Sequence, residues 1–574
     1  MGTRKETQST TQASALSNAE IADRLAGLAQ LLSTQKENPY KVKAYQRAAV
    51  RVRLLSESLD DLVKEDADLT QFPGVGEAIA SAIREIVLTG KLRKLDALRG
   101  QADPEVASLT DYPRLDPKRI LRIYKKLKIN SIEALSEKLE SGEIESALGR
   151  RAAQHVRQGL SEPHAMLLYR ADALRDSIEE FLLTKCGAKA VQVVGACRRR
   201  AEVIEEIAFV IETDDFSSVV RRMQHYGGRT ELLEASSHHG VYALAAGPTL
   251  RLRHCSSPDW ALALIAETGS AAHLKKLEAV TEKVTSLFGS GAFPTETAFY
   301  RKFGLEYIEP ELREGHDEIE RAQQHTLPSL VRLKDIRGEL HAHSTSSDGS
   351  HSIEQMAIAA RDFGYEYIGM TDHSQSRKIA RGVPVADLWK QVRAIDKLND
   401  NLNSRLTGIQ VLKSAEVDIL ADGTLDYPDE LLAELDYTVC SVHSRFGFGK
   451  QEQTERILRA MDNRYFNILG HATGRLLLKR PGYELDVERI IHHAKKTGCF
   501  FEINSSPDRL DLSAENARLA NEAGVKIAIS TDAHSTREFG TVRYGIDQAR
   551  RAGLEPTSIL NCLPWPSLGP LFRR

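Results

Sequence analysis

The sequence has 574 residues and a net charge of -3, so it predicts several domains and excludes a global basic field for nucleic acids. No apolar run is long enough to cross a membrane, and the polar N-terminus lacks the apolar core of a signal peptide. The six cysteines are scattered without paired spacing, which makes disulfides and thiolate zinc knuckles unexpected and favours the reducing cytoplasm.

The first part of the chain has a helical pattern after a polar start. Residues 1–17 are polar, and we expect them to be disordered. Residues 18–160 carry helical apolar periodicity, as in IADRLAGLAQLL and IASAIREIVLTG. Between two such patterns lies PGVG, in which Gly74 and Gly76 permit a tight hairpin. The backbone amides of this hairpin, with the N-terminus of the following helix, can contact a DNA phosphate.

Residues 161–325 mix helices with short strands, and one predicted hairpin raises the question of a metal site. Residues 193–215, VVGACRRRAEVIEEIAFVIETDD, indicate a strand, a tight turn with clustered arginines and a second strand. Two acidic side chains two residues apart share one face of a strand and can hold a metal. Here the two positions are Glu206 and Ala208, so the pair is incomplete.

From residue 336 onward, seven short apolar segments alternate with helical patterns. They are GELHAHS, YEYIGMTDHS, VLKSAEVDI, YTVCSVHS, FNILGHATG, CFFEINSS and KIAISTDAH. Such alternation predicts parallel strands with crossover helices, and seven units favour a closed barrel. In a parallel barrel the C-terminal strand ends share one face, where active sites lie.

Most of these segments end in histidine, aspartate or glutamate. The residues at the predicted strand ends are His341, His343, Asp348, His373, Glu416, His443, His471, Asp532 and His534. Imidazole and carboxylate groups without thiolates suit zinc, iron or manganese. The pattern therefore predicts a metal site.

Six motifs lie in this region: ELHAHSTSSDG, TDHS, AEVDILADG, SVHS, GHATGR and TDAHS. Together they resemble the polymerase and histidinol phosphatase (PHP) domain, in the version at the C-terminus of bacterial family X DNA polymerases. The resemblance covers about residues 336–570 and implies a distorted (β/α)7 barrel with three metals. One departure is Glu339, where the family usually has Asp. The implied ligand sets are His341, His343, Glu416 and Asp532; Glu416, His443 and His471; and Asp348, His373 and His534.

Neighbouring metals can activate water and hold the attacking and leaving oxygens of a phosphoryl displacement. The same resemblance therefore implies a site that hydrolyses phosphate esters, and it indicates which residues act on the phosphate. It implies that His443, His471 and Glu416 are catalytic, since His443 and His471 would hold the metal nearest the scissile bond. Arg445 and Arg475, just past two of the strand ends, are candidate phosphate contacts.

The N-terminal half resembles the other parts of a family X polymerase. PGVG, with GKLRKL after it, resembles a helix-hairpin-helix, and ENPYKVKAYQRAA matches the opening helices of that domain. The match implies a patch facing DNA phosphates that includes Lys41, Lys43 and Arg47. The position of the family's lyase lysine holds Ala82, so we expect no lyase activity by that route.

The palm is expected to be degenerate. The family pattern has an Asp-x-Asp strand and a third Asp on a later strand. Glu206 and Ala208 occupy the first two positions, and the third falls at or near Arg251. Nucleotidyl transfer needs two magnesium ions held by carboxylates, which these three residues cannot supply. The resemblance therefore predicts a polymerase-shaped DNA-binding module without polymerase activity.

These observations predict a multidomain α/β chain in six parts. They are a disordered tail at 1–17, a helix-hairpin-helix DNA-binding domain at 18–100, a fingers-like helical domain at 101–165, a degenerate palm-like α+β nucleotidyltransferase domain at 166–260, a thumb-like domain at 261–325 and a PHP phosphoesterase domain at 326–574.

The predicted function is a metal-dependent 3′-5′ exonuclease or DNA 3′-end phosphodiesterase in DNA repair. We expect a cytoplasmic monomer that uses three divalent transition metals (Mn, Zn or Fe), acts on gapped or primer-template DNA and binds no membrane. Three alternatives stay open. They are a small-molecule phosphatase of the histidinol phosphatase type, an active family X polymerase with residual nucleotidyl transfer, and a non-catalytic repair scaffold.

Overall fold

The computed structural model describes residues 16–35, 37–102, 104–107, 109, 112, 115–149, 152–153, 156–157, 160, 165–291, 293–400 and 408–573. Most of the tail expected to be disordered, residues 1–15, lies outside this set. Contacts define two compact units. The first is Met1–Met166, Arg170–Val194 and Ile204–Trp260, and the second is Leu167–Tyr169, Gly195–Val203 and Ala261–Arg574. Among the described residues, no helix combines the length and apolar character needed to cross a bilayer.

The first unit begins with helices, as the apolar periodicity predicts. Those described up to residue 149 are α1 (Asn18–Thr34), α2 (Pro39–Leu54), α3 (Leu59–Lys64), α4 (Glu77–Thr89), α5 (Arg93–Gln101), α6 (Pro104–Ala107), α7 (Pro117–Leu127), α8 (Ile132–Glu140) and α9 (Glu143–Leu148). Ser17 starts α1 through a capping box with Glu20. Apolar faces of α1, α2 and α4 pack together and bury Leu25, Val52 and Ile83.

A five-stranded sheet follows in the same unit. Its strands are β1 (Ala190–Val194), β2 (Glu206–Glu212), β3 (Glu231–Ala235), β4 (His239–Ala243) and β5 (Thr249–His254), in the order β1-β2-β5-β4-β3. β1 and β2 are antiparallel, which confirms the predicted hairpin, with Val194 opposite Ala208. β5 runs parallel to β2 and places Arg251 opposite Ala208.

Three helices belong to this region of the chain. They are α10 (Leu168–Phe181), α11 (Gly195–Arg198) and α12 (Phe216–Met223). The connection from β1 to β2 was expected to be a tight turn, but it opens with α11. Gly195 adopts the left-handed region at φ 64°, which turns the chain directly from the strand into that helix.

The second unit is built on a nearly closed barrel of seven parallel strands. The strands are β6 (Gly338–Ala342), β7 (Tyr367–Met370), β8 (Gln410–Asp418), β9 (Tyr437–Ser441), β10 (Ile468–Leu469), β11 (Phe500–Asn504) and β12 (Ile527–Ser530). Each coincides with one of the seven predicted segments, except that β8 begins one residue earlier, at Gln410. Neighbours in sequence are neighbours in the barrel, and a bridge from Ala342 to Ala533 joins the last strand to the first. β6, β7, β9 and β12 are buried at every position, which explains their continuous apolar character.

Helices precede the barrel and surround it. Those before it are α13 (Trp260–Thr268), α14 (Ala271–Val280), α15 (Glu296–Lys302) and α16 (Glu318–Gln324). Those around it are α17 (Ile353–Phe363), α18 (Val385–Asp400), α19 (Asp429–Leu432), α20 (Lys450–Met461), α21 (Val487–Thr497), α22 (Ala514–Glu522), α23 (Val542–Arg551) and α24 (Trp565–Leu568).

Glu339, the departure from the family pattern, lies in the wall of the barrel. Its carboxylate accepts hydrogen bonds from the Thr531 hydroxyl at 2.7 Å and from the Thr531 amide at 3.1 Å. Burial raises the pKa of Glu339 to about 7. Because Thr531 directly follows β12 and Glu339 is in β6, this contact helps to close the barrel.

Within the second unit, ion pairs link the segment that precedes the barrel to helix α23. Glu311 accepts a hydrogen bond from Arg550 Nε at 2.7 Å. Glu314 accepts from Arg551 Nη2 at 3.1 Å and from Arg199 Nε at 3.2 Å. All five side chains are at most 19% exposed, so solvent screens these contacts less than it screens surface pairs.

Candidate metal centre

The nine side chains predicted to bind metal meet at one end of the barrel. They lie at, or just after, the C-terminal ends of six of the seven strands. His341, His343 and Asp348 come from β6 and its loop, His373 follows β7, Glu416 is in β8, His443 follows β9, His471 follows β10, and Asp532 and His534 follow β12. Parallel strand ends share one face of a barrel, which brings residues from distant parts of the sequence together.

Glu416 lies at the centre of the cluster and is fully buried. Its Oε1 is 2.9 Å from His471 Nε2 and 3.3 Å from His443 Nε2. Its Oε2 is 2.7 Å from His373 Nδ1 and 3.6 Å from His341 Nε2. A carboxylate with each oxygen facing different imidazoles has the geometry to bridge two cations.

Asp532 and Asp348 complete the cluster on either side of His343. Asp532 Oδ1 is 3.1 Å from His343 Nε2 and 3.6 Å from His341 Nε2. Asp348 Oδ1 is 3.3 Å from His534 Nε2 and 3.6 Å from His373 Nε2.

Three groups of these side chains have ligand atoms within 4.8 Å of one another. They are His343, Asp348, His373 and His534; His341, His343 and Asp532; and His373, Glu416 and His443. The groups overlap with the three sets implied by the resemblance without being identical to them. His343 and His373 are each shared by two groups, and His471 contacts the cluster through Glu416.

Unsatisfied polar atoms show that the cluster fits divalent cations. Several buried atoms have no hydrogen-bond partner: His341 Nε2, both ring nitrogens of His343, Asp348 Oδ1, His373 Nδ1, Glu416 Oε2 and His471 Nδ1. Leaving one such atom without a partner costs about 1–3 kcal/mol, so a concentration of them indicates a missing ligand. Nitrogen and oxygen donors without sulfur match manganese, iron or zinc.

Two carboxylates that the sequence analysis did not single out hold the histidines in place. Asp418 Oδ1 accepts a hydrogen bond from His443 Nδ1 at 2.6 Å. Glu502 accepts from His341 Nδ1 at 2.6 Å and from the His471 amide at 2.7 Å. A proton fixed on Nδ1 leaves Nε2 free to bind a metal. The signal for both was an acidic residue inside an apolar strand segment, in AEVDI and FFEIN.

The central carboxylates are anions at neutral pH. Burial disfavours the charge on Glu416, but His373 and His443 outweigh burial and hold its pKa well below the ordinary value. Burial likewise opposes ionisation of Asp532, and His341 leads the contacts that hold its pKa well below the ordinary value. Both therefore present charged oxygens to a cation.

The arginines near the centre differ in availability. Arg475 donates to both oxygens of Glu202 at 2.9 and 2.6 Å and to the Arg509 carbonyl at 3.0 Å, so it is committed to structural contacts. Arg445 is exposed. Arg509, which the sequence analysis did not consider, has Nε 3.7 Å from Asp532 Oδ2 with its side chain 24% exposed. Of these three arginines, Arg509 is the one whose guanidinium lies beside a carboxylate of the cluster.

The predicted polymerase site has a different arrangement. Arg251 Nη2 is 3.0 Å from Glu206 Oε1, and Arg251 Nε donates to both Glu206 oxygens at 3.1 Å. Ala208, which lies opposite Arg251 in the sheet, is 1% exposed and offers no ligand atom. A guanidinium thus neutralises the remaining carboxylate of the three positions.

The residues predicted to contact DNA lie on the surface of the first unit. Gly74 is exposed with φ 88°, a conformation that favours glycine, and Gly76 is the N-cap of α4. Lys43 and Arg47 are exposed on α2, and Lys41 is partly exposed and 3.6 Å from Glu37. These positions suit phosphate contact, which stays a prediction.

Comparison with known proteins assigns both ends of the chain to families. Residues 16–92 match a helix-hairpin-helix domain, and residues 339–506 match the PHP domain. The DNA polymerase/3′-5′ exonuclease PolX of Bacillus subtilis (strain 168) is 32% identical over 572 residues, which cover 94% of this chain and 97% of that protein.

Shorter relatives match part of the chain. A probable phosphatase of Thermoanaerobacter sp. (strain X514) is 32% identical over 39% of this chain and 89% of its own length. A probable phosphatase of Syntrophotalea carbinolica is 28% identical over 39% of this chain and 90% of its own length.

Proposed function

The chain belongs to the family of the DNA polymerase/3′-5′ exonuclease PolX, and from this premise we propose that it is a metal-dependent 3′-5′ exonuclease acting on DNA 3′ ends. The observation that carries the proposal is the cluster of buried imidazole and carboxylate groups at the barrel mouth, several of whose polar atoms have no hydrogen-bond partner. Its complete donor set also argues against a non-catalytic scaffold.

Each side chain has a part in the proposed hydrolysis. Divalent metals bound at the cluster, three by resemblance, would lower the pKa of a water and neutralise phosphate charge. Glu416 spans the cluster, while Asp418 orients His443 and Glu502 orients His341. We assign to Arg509 the contact with a non-bridging phosphate oxygen, since its guanidinium lies beside the cluster.

Nucleotidyl transfer is proposed to be lost. The support is the Glu206–Arg251 ion pair, because a magnesium ion at this position would have to displace a guanidinium. Ala208 supplies no replacement ligand. The name of the Bacillus relative includes polymerase activity, so a residual transferase is the outcome that would contradict this part of the proposal.

The proposed substrate is DNA, and the proposed location is the cytoplasm. The helix-hairpin-helix domain supports DNA as the partner, with Gly74, Gly76 and the basic face of α2 contacting phosphates. We propose a cytoplasmic monomer that trims gapped or primer-template DNA during repair. None of the six cysteines, which all lie in the described part of the chain, forms a disulfide.

A small-molecule phosphatase is the second candidate. The probable phosphatases that match this chain favour it. The helix-hairpin-helix domain disfavours it, because a small phosphate ester needs no DNA contact. The two functions predict different substrates for one metal centre.

One experiment separates the candidates. Purified protein and Mn²⁺ are incubated with a 5′-labelled primer-template, with and without nucleotides, and in parallel with histidinol phosphate. We expect shortened primer and no extension. His443→Ala should abolish shortening and retain DNA binding, whereas the exposed His492→Ala is the matched control and should behave as wild type.

Other outcomes would count against specific parts of the proposal. Primer extension would contradict the interpretation of the palm. Normal shortening by His443→Ala would contradict the metal-site assignment. Phosphate release from histidinol phosphate without any shortening would favour the phosphatase.

A further inference from the structure

The loop that follows His373 carries an exposed apolar side chain. This loop, residues 375–382, is here named the rim loop. Ile379 within it is 91% exposed, the highest value among the large hydrophobic side chains of the described residues. Exposure of a single aliphatic side chain is common, but this one lies close in sequence to a candidate metal ligand.

The rim loop is held in one conformation. The amides of Ala380 and Gly382 both donate to the Arg377 carbonyl at 3.0 Å, and Ala380 is buried beneath the tip. The Ser376 amide donates to Asp426 Oδ2 at 2.7 Å. A loop that is already ordered presents Ile379 to a partner without a large loss of entropy on binding.

Two contacts join the rim loop to the metal centre. The Val383 amide donates to the His373 carbonyl at 2.8 Å, so the chain returns from the loop beside that histidine. The Ser376 hydroxyl donates to Asp418 Oδ2 at 2.7 Å, while Asp418 Oδ1 accepts from His443. The same carboxylate therefore fixes the loop and a candidate ligand.

The tip of the rim loop is basic. Arg377, Lys378 and Arg381 lie within three residues of Ile379, and Lys378 and Arg381 are exposed. Among the ion pairs of the described residues, none involves these three cations. An exposed aliphatic side chain between unpaired cations favours a polyanion with apolar faces, which describes a nucleic acid strand.

A protein partner is a poorer fit. Protein interfaces bury about 800 Å² on each side, with several contiguous apolar residues at the centre. Here one isoleucine is flanked by cations, which is the composition of an apolar wedge in a DNA-binding protein.

We infer that the rim loop recognises the 3′-terminal nucleotide of DNA, with Ile379 packing against the last base and separating it from its neighbour. Lys378 and Arg381 contact the adjacent phosphates. This inference rests on the proposed exonuclease function and narrows it, because separating the last base delivers a frayed 3′ end to the metal centre.

The first test measures binding without catalysis. The protein is titrated in EDTA into primer-template DNA with 2-aminopurine as the 3′-terminal base, whose fluorescence rises when it is unstacked. We expect a severalfold rise with wild type and with Ile379→Leu, and no rise with Ile379→Ser. Leu333→Ser is the matched control, since Leu333 is also apolar and 49% exposed, and should respond as wild type. An equal rise with Ile379→Ser would overturn the inference.

The same titration at several salt concentrations tests the cations. Lys378→Ala and Arg381→Ala should each reduce the slope of log K against log salt by about 0.7–0.9, as expected for one lost phosphate contact. Unchanged slopes for both variants would contradict their contact with phosphates.

The second test separates this inference from the exonuclease proposal. Mn²⁺-dependent kcat/KM is measured on paired and unpaired 3′ ends and on bis(p-nitrophenyl) phosphate. Ile379→Ser should lose about tenfold on the paired end, less on the unpaired end and nothing on the small diester, because unstacking is required only in the duplex. If wild type shortens no DNA, the proposed function fails. If wild type shortens DNA and Ile379→Ser matches it on every substrate, only the role of the rim loop fails.

Discussion

Asp418→Asn tests whether a buried carboxylate controls the metal centre through His443. The substitution keeps the shape of a side chain that is 7% exposed and removes its charge. Asp418 Oδ1 accepts a hydrogen bond from His443 Nδ1 at 2.6 Å, which keeps the imidazole proton on Nδ1. An amide in place of the carboxylate holds the ring less firmly and lowers the basicity of Nε2. Loss of such a partner reduces metal affinity or activity about 10–100-fold, equivalent to about 1.4–2.7 kcal/mol.

The assay is primer shortening as a function of Mn²⁺ concentration, with direct Mn²⁺ binding by calorimetry. We expect the Mn²⁺ midpoint to rise while DNA affinity measured in EDTA stays close to wild type, because the amide oxygen of the substituted side chain can still accept from the Ser376 hydroxyl of the rim loop. The matched control is Asp462→Asn, because Asp462 accepts from His493 Nε2 at 2.9 Å on the protein surface. Wild-type Mn²⁺ affinity and kcat in Asp418→Asn would refute the reasoning, whatever the control shows.

Three further predictions concern the substrate, the fold and the palm. Arg509→Ala should raise KM for DNA about tenfold with metal binding retained, whereas Arg509→Lys should recover part of the loss. Burial raises the pKa of Glu296, but Arg313 and a neighbouring arginine outweigh burial and hold it below the ordinary value. Ionised Glu296 therefore stabilises the fold at pH values above the ordinary carboxyl pKa, and this contribution is lost as the pH falls through the lowered pKa. In urea unfolding, Glu296→Gln should reduce the free energy of unfolding near neutral pH. The free energy of unfolding of this variant should also fall less steeply as the pH is lowered. Ala208→Asp combined with Arg251→Asp should restore Mg²⁺ binding to the palm, detected by calorimetry, and the lack of any binding would contradict the proposed cause of its loss.

The sequence was sufficient to predict the barrel and the position of the ligand cluster. Each strand is a short apolar segment, and the polar residue that ends it has to lie at the barrel mouth once the strands are parallel. His341 and Asp532 are 191 positions apart, yet the strand pattern alone predicts that they meet.

Partnerships between polar side chains were much harder to predict. Glu502 and His341 lie on strands that are not consecutive, and the contact depends on how the barrel curves. Arg475 was a candidate phosphate contact, but it is bonded to Glu202, which lies 273 positions away. Periodicity gives the face on which a residue lies, whereas a hydrogen bond requires the relative placement of distant segments.

The ion pairs between helix α23 and the segment before the barrel determine where a truncated form of the protein can begin. Expression of residues 326–574 alone would remove Glu311 and Glu314, the acceptors for Arg550 and Arg551. Both arginines would lose these partners on a newly exposed surface, which favours nonspecific DNA binding. A stable fragment that contains the barrel would therefore have to include Glu311 and Glu314, upstream of the boundary at 326 that the motifs indicate.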